Sequence, residues 1–167
     1  MKYKVRHVIE GTIQEVFEVG MDRSRDVRVY SNVTKSTVKK REQKGDIINI
    51  VVETIANGDI PPKLRKLISP KMLTWTETGK YDLSKNTYDY SVKTFYFTNV
   101  FSLTGHFEFE EDGKGNTIRT LDGEIKINIP ILGQIAEKKI VEIQKENLEL
   151  DIKSMREEVK ALRESKK

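Results

Sequence analysis

The segment from Gly115 to Ile140, GNTIRTLDGEIKINIPILGQIAEKKI, changes its hydrophobic period part-way, and this constrains the fold more than any other feature of the chain. Leu121, Ile125, Ile127 and Ile129 alternate with Asp122, Glu124, Lys126 and Asn128, with Gly123 on the apolar side. Alternation with a period of two describes a strand with one wet face and one dry face. Beyond Pro130 the spacing becomes Leu132, Ala136, Ile140 and Ile143, and no Gly or Pro follows Gly133, so the remainder reads as one long helix. A last strand feeding a long helix predicts a sheet that closes on that helix, with sheltered space between them.

Earlier segments supply the rest of such a sheet. Tyr3, Val5, His7 and Ile9 alternate with charged residues in a first strand, and Thr12-Ile13-Gln14-Glu15 has the pattern of a capping box opening a short helix. Residues 23–33 have no clear period and read as a second short helix or a loop. A hairpin turns at Lys44-Gly45-Asp46, and Ile48, Ile50, Val52 and Thr54 share one face of its second strand. Trp75, Glu77 and Tyr81 share a face, as do Tyr88, Tyr90 and Val92, and Phe101, Leu103, Gly105, Phe107 and Phe109 form the cleanest alternation. About seven strands joined mainly by hairpins, with short helices after the first and a long helix last, make an α+β plan with an antiparallel sheet.

The chain has 167 residues, enough for a single domain over 1–167 with a core or with a hollow inside it. It has no Cys, which excludes disulfides, thiolate metal sites and a cysteine nucleophile. The opening residues MKYKVRHVIE lack an apolar signal region, so a cytoplasmic location is expected. The 30 basic and 26 acidic residues leave a net charge of +4, a mixed balance that favours solubility over a nucleic-acid partner. One basic cluster, Lys63, Arg65 and Lys66, interleaves with Leu64, Leu67 and Ile68, as a turn resting on a membrane surface would.

Three segments, LRKLISPKMLTWTETGKYD (64–82), SLTGHFEFEEDGKGNTIRTLDGEIKINIP (102–130) and ILGQIAEKKI (131–140), resemble the START-like superfamily. This superfamily, also called SRPBCC, includes the birch pollen allergen and polyketide cyclase-like proteins. The likeness is nearest to an uncharacterised bacterial branch with a similar aromatic strand and a similar Pro-hydrophobic-hydrophobic-Gly start to the last helix. IPPKLRKLI, the strand bearing Glu77, and Phe97-Thr98-Asn99 are more loosely similar to PRELI-type phospholipid transfer proteins. The resemblance implies a helix-grip fold, a curved antiparallel sheet around a long C-terminal helix, with a cavity for a lipid, sterol or aromatic molecule between them.

Inward-facing aromatic residues, together with Gly105 and Gly123 where side chains are expected, would leave concave apolar space; the same residues would equally serve to fill a core. The candidate ligand-binding residues are Trp75, Glu77, Tyr81, Tyr88, Tyr90, Phe101, Leu103, Phe107, Arg119, Leu121 and Ile135. Glu77, Arg119 and His7 share the inward parity. Buried charge must be paired or directed at a polar group, so these three are the natural specificity elements. His106 points outward. No motif marks a metal site, a cofactor or a catalytic residue. A binding or transfer protein for a lipid or other hydrophobic small molecule is the leading reading. A small START-like cyclase, hydratase or isomerase using Glu77 or His7 and a protein-interaction module are the alternatives.

The last helix carries two stripes. Leu132, Ala136, Ile140 and Ile143 are expected to close the cavity. Leu148, Ile152, Met155, Val159 and Leu162, spaced by fours and threes, make residues 148–167 a candidate helical extension with a contact of its own, either self-association or a lid. The alternative is packing on the protein's own short helices. A monomer or weak dimer is expected.

Overall fold

The computed structural model describes residues 1–57, 62, 74–95 and 99–167; the amphipathic turn expected at residues 63–68 lies outside them. In chain order the elements are β1 (Lys2–Glu10), α1 (Ile13–Met21), a 3-10 turn (Arg23–Arg25), α2 (Asp26–Val29), β2 (Val33–Lys44) and β3 (Ile47–Ala56). They continue with β4 (Thr74–Asp82), β5 (Thr87–Thr94), β6 (Phe101–Glu111), β7 (Asn116–Ile127) and α3 (Gly133–Ser165). All seven strands pair antiparallel in the order β1-β7-β6-β5-β4-β3-β2. Strands adjacent in sequence therefore lie side by side, except β1 and β2, which form opposite edges. The short helical elements between them span the concave side.

Local chemistry explains these elements. The Thr12 hydroxyl accepts the Glu15 amide at 3.2 Å, while the Glu15 carboxylate accepts the Thr12 amide at 3.0 Å, so the expected capping box starts α1. Such a cap is worth about 1 kcal/mol. The unreadable stretch after it resolves into the 3-10 turn and α2, which are held by side chains rather than by an apolar period. Strand alternation is kept: Ile48, Ile50, Val52 and Thr54 of β3 are all buried, as are Leu121, Ile125 and Ile127 of β7.

The second stripe of α3 follows the alternative, packing within the protein, and the first is divided between interior and solvent. Leu148, Ile152, Met155 and Val159 are buried. The last three pack with Ile9 of β1, with Val16, Phe17 and Val19 of α1 and with Phe109 of β6, so this stripe joins the protein's own core. In the first stripe Leu132 and Ile143 are exposed, and only Ala136 and Ile140 pack inward, on a cluster that includes Leu121, Ile125 and Val141. The start of the helix is set by Gly133, where a Cβ would collide with the carbonyl oxygen of Ile127. Ile135, two residues or about 200° further round at 3.6 residues per turn, faces away and is 67% exposed. It therefore does not line the interior. Just before the helix, Ile131 has a φ of 68°, a left-handed conformation that disfavours a β-branched residue by about 1–3 kcal/mol.

The apolar interior falls into two clusters. One joins α1, the far half of α3 and the strand segments around Ile9, Ile48–Val52, Tyr81 and Phe109. The other joins Tyr3, Val92, Leu103, Leu121, Ile125 and Ile127 with Val141 and Leu148 of α3. Tyr90 and Phe107 touch both. Among the described residues no helix is long and apolar enough to cross a membrane.

Candidate functional site

The concave face carries a floor of stacked rings. Tyr81 stacks on Tyr88 at 4.1 Å between centroids, Tyr88 on Tyr90 at 5.7 Å, Tyr90 on Phe107 at 5.9 Å and Phe107 on Phe109 at 6.0 Å. Phe17 of α1 closes the circuit edge-on, 5.6 Å from Tyr81 and 4.7 Å from Phe109. The rings can lie flat because glycines sit beneath them. In one register row Tyr3 faces Gly123, Gly123 faces Gly105, Gly105 faces Tyr90 and Tyr90 faces Gly79. A Cβ on Gly123 would enter the ring of Tyr3, one on Gly105 the ring of Tyr90, and one on Gly79 the ring of Tyr88. Aromatic side chains thus cover strand glycines. The space expected above Gly105 and Gly123 is occupied by tyrosine rings.

Side chains on this face differ in exposure. Trp75, Tyr90, Phe101 and Phe107 point to the concave face yet are only half-buried, whereas Tyr81, Tyr88, Val92, Leu103 and Phe109 on the same strands are buried. The expected ligand-binding residues therefore divide into two groups. Trp75, Glu77, Tyr90, Phe101 and Phe107 keep partial exposure; Tyr81, Tyr88, Leu103 and Leu121 are buried in the core.

Two charged clusters flank the rings. On one side Arg23 donates to both Glu77 oxygens, at 2.6 and 3.3 Å, and through Nε to Asp26 at 2.9 Å. Tyr88 donates its hydroxyl to Glu77, and Ser36 donates to Asp26 at 3.0 Å. Burial pushes the Glu77 carboxyl up, but the Arg23 guanidinium outweighs it and leaves the group below the usual carboxylate value. The Tyr88 phenol is pushed far up, first by burial and then by the Glu77 charge. Glu77 is thus held as a fully committed anion.

On the other side Asp151 of α3 is shared by two guanidiniums, each at 2.6 Å: Arg119 of β7 and Arg25 of the 3-10 turn. Arg25 continues to Glu158 at 2.7 Å, which also accepts from Arg28 at 2.9 Å. Burial raises Asp151, while Arg119 and Arg25 together hold it below its ordinary value. Arg119 lies over the Phe107 ring, 5.3 Å from its centroid. Its Nη2 faces His7 Nδ1 at 3.4 Å, and His7 Nε2 meets Glu149 at 2.8 Å. A guanidinium only donates, so Nδ1 accepts and Nε2 carries the proton toward Glu149. The Arg119 Nε is buried and has no partner among the described residues.

Glu77, Arg119 and His7 are thus partnered, as buried charge requires, but by residues that sequence reasoning missed: Arg23 for Glu77, Asp151 for Arg119 and Glu149 for His7, with Arg25 and Asp26 completing the clusters. Asp151 did leave a signal, since it falls between Leu148 and Ile152 on the inward stripe of α3. The arginines left none. His106 is on the outer face as expected, bound to Asp89 at 2.5 Å and Glu108 at 3.3 Å. That outer face also carries a polar groove of about 850 Å³ that includes Lys4, Lys80, Asp89, His106 and Asp122. Among the described residues no group of His, Asp and Glu could hold a metal ion.

A family model described as "Protein of unknown function (DUF2505)" matches residues 4–157. The chain belongs to this family. No curated protein matches the sequence. Solved structures share its fold at low identity. A protein from Thermus thermophilus, TTHA0849, superposes with a TM-score of 0.67 at 18% identity, covering 97% of this chain and 99% of its own. The Zhui aromatase/cyclase from Streptomyces sp. R1128 gives 0.64 at 12% identity, covering 96% and 93%. A START superfamily protein from Mycobacterium smegmatis gives 0.58 at 12%, covering 96% and 98%. The fold is the START-like helix grip expected from the strand order and the last helix.

Proposed function

We propose that this protein binds a hydrophobic small molecule, a lipid or a ring-bearing amphiphile, on its concave face between β4–β6 and α3. The observation that carries the reading is the half-exposure of Trp75, Tyr90, Phe101 and Phe107 beside Tyr81, Tyr88, Val92, Leu103 and Phe109, which are buried on the same strands. Large apolar pockets with a few convergent polar groups are the usual form of such sites. The charged belt suits a neutral polar end. Arg23, Arg25 and Arg119 are balanced by Asp26, Glu77 and Asp151, so a ligand charge would enter unpaired, whereas the unpartnered Arg119 Nε offers a donor to a ligand oxygen. Fold neighbours that include an aromatase/cyclase and a START superfamily protein support an internal site of this kind. Lipid transfer and a cytoplasmic location belong to the same proposal.

Binding is favoured over acid–base catalysis because both catalytic candidates are occupied. Glu77 is bonded by Arg23 and Tyr88, and His7 by Arg119 and Glu149. Trp75 is the chain's single tryptophan, so its emission reports the site directly. Titration with a fatty acid, a phospholipid and a polycyclic aromatic ketone is expected to shift Trp75 emission saturably for at least one class. Native mass spectrometry is expected to find the same class copurifying. No shift with any class and no copurifying molecule would refute the reading in favour of a protein-interaction module.

A further inference from the structure

Among the described residues, the three most exposed large hydrophobic side chains are Ile131 at 92%, Ile135 at 67% and Phe95 at 56%. All three lie at one end of the molecule. Phe95 directly follows β5, Ile131 lies between β7 and α3, and Ile135 is in the first turn of α3. The ends of β5 and β7 are separated only by the start of β6, a span of about 10 Å at the usual strand spacing. Leu132, also exposed, joins them. Scattered single exposures need no explanation, but a cluster on protruding turns does.

Two further observations bear on what covers this tip. Ile131 keeps its left-handed conformation with no packing to repay it, so the fold presents this side chain outward against its backbone preference. The surroundings are basic. Lys93, Lys126, Lys138 and Lys139 are exposed around the tip, and Lys93 and Lys138 have no ion-pair partner among the described residues. Of the acidic residues there, Glu124 and Glu142 pair with Lys126 and Lys139, and Glu137 is taken by the Ile127 amide and the Met1 ammonium. An apolar prominence flanked by two uncompensated cations, Lys93 and Lys138, matches the interface of an anionic bilayer, where chains meet the apolar groups and head groups meet the lysines.

We propose that the Phe95–Ile131–Leu132–Ile135 tip docks the protein peripherally on anionic lipid membranes. The tip shares no residue with the interior site, although Phe95 adjoins Trp75 across the β4–β5 pair. The test is flotation of the full chain with vesicles of phosphatidylcholine alone or mixed with phosphatidylglycerol. Flotation is expected with the mixed vesicles, weaker with phosphatidylcholine alone, and reduced by salt. The double variant Ile131→Asn, Ile135→Ser should partition at least about tenfold less, with an unchanged or higher Tm because Asn accepts the left-handed backbone. Lys93→Glu with Lys138→Glu should abolish the preference for anionic vesicles while Trp75 emission stays as in the parent. Absence of flotation, or equal flotation of the double variant, would overturn the proposal. So would a concentration-dependent dimer that the double variant dissolves in a protein that does not float, since a second copy would then be the occupant.

Discussion

Asp151 concentrates more of this fold's electrostatics than any other residue, because two buried guanidiniums depend on it. Asp151→Ala should lower stability by about 3–5 kcal/mol, the usual consequence of stranding a buried charge, in denaturant titration. Glu77→Gln is expected to lower Tm as well as alter ligand response, since Arg23 would keep only Asp26 as a charged partner; an altered ligand response at unchanged Tm would exclude that anchoring role. At Gly105 a methyl group would displace the Tyr90 ring. Gly105→Ala should therefore destabilise by about 1–3 kcal/mol and weaken the Trp75 response to ligand. Inward parity of Glu77, Arg119 and His7 was legible in the sequence because a strand fixes side-chain direction by counting in twos. Their partners were not legible. Arg23 and Arg25 sit in a stretch without a period, and nothing local tells an arginine which carboxylate, some fifty or more than a hundred residues away, it will meet.

The long helix shows what a pattern can and cannot specify. The switch from period two to period 3.6 after Pro130 located β7 and α3 correctly, and the capping box located α1. A stripe spaced by fours and threes, however, states only that one helix face is apolar; it has the same form whether the partner is a second copy or the chain's own α1 and β1. The deciding contacts are non-local: the close approach of Gly133 to Ile127 sets the rotation of the helix, and α1 receives Ile152, Met155 and Val159. Burial of such side chains contributes about 1.5–3 kcal/mol each, so losing three removes a sum comparable with the whole stability of a domain. Truncation after Leu150 should therefore leave a chain without a cooperative thermal transition, and a stable truncated monomer would show that α3 beyond that point is dispensable.

Across the whole molecule, acid should act through the belt. Glu77 and Asp151 have folded-state values below their ordinary 4.5 and 3.8, so on acidification the unfolded chain takes up these protons first. Their contribution is complete above the ordinary carboxylate values and is lost as pH falls through the depressed folded ones. Tm measured from neutral pH downward should drop in that window, and Asp151→Asn and Glu77→Gln should each flatten the drop. The strand order has a kinetic consequence too. Among the described residues β1 pairs only with β7, Lys2 opposite Glu124 and Glu10 opposite Asn116, so the earliest strand must wait for the latest before it finds its place. Every other neighbouring pair in the sheet can form as its hairpin leaves the ribosome. The final closure is a long-range search across more than a hundred residues, of the sort that slows folding in chains of high contact order. Until it succeeds, β1 and the flank of β7 are two unsatisfied edges in one nascent chain, and that interval is when this protein is most exposed to mispairing with its neighbours.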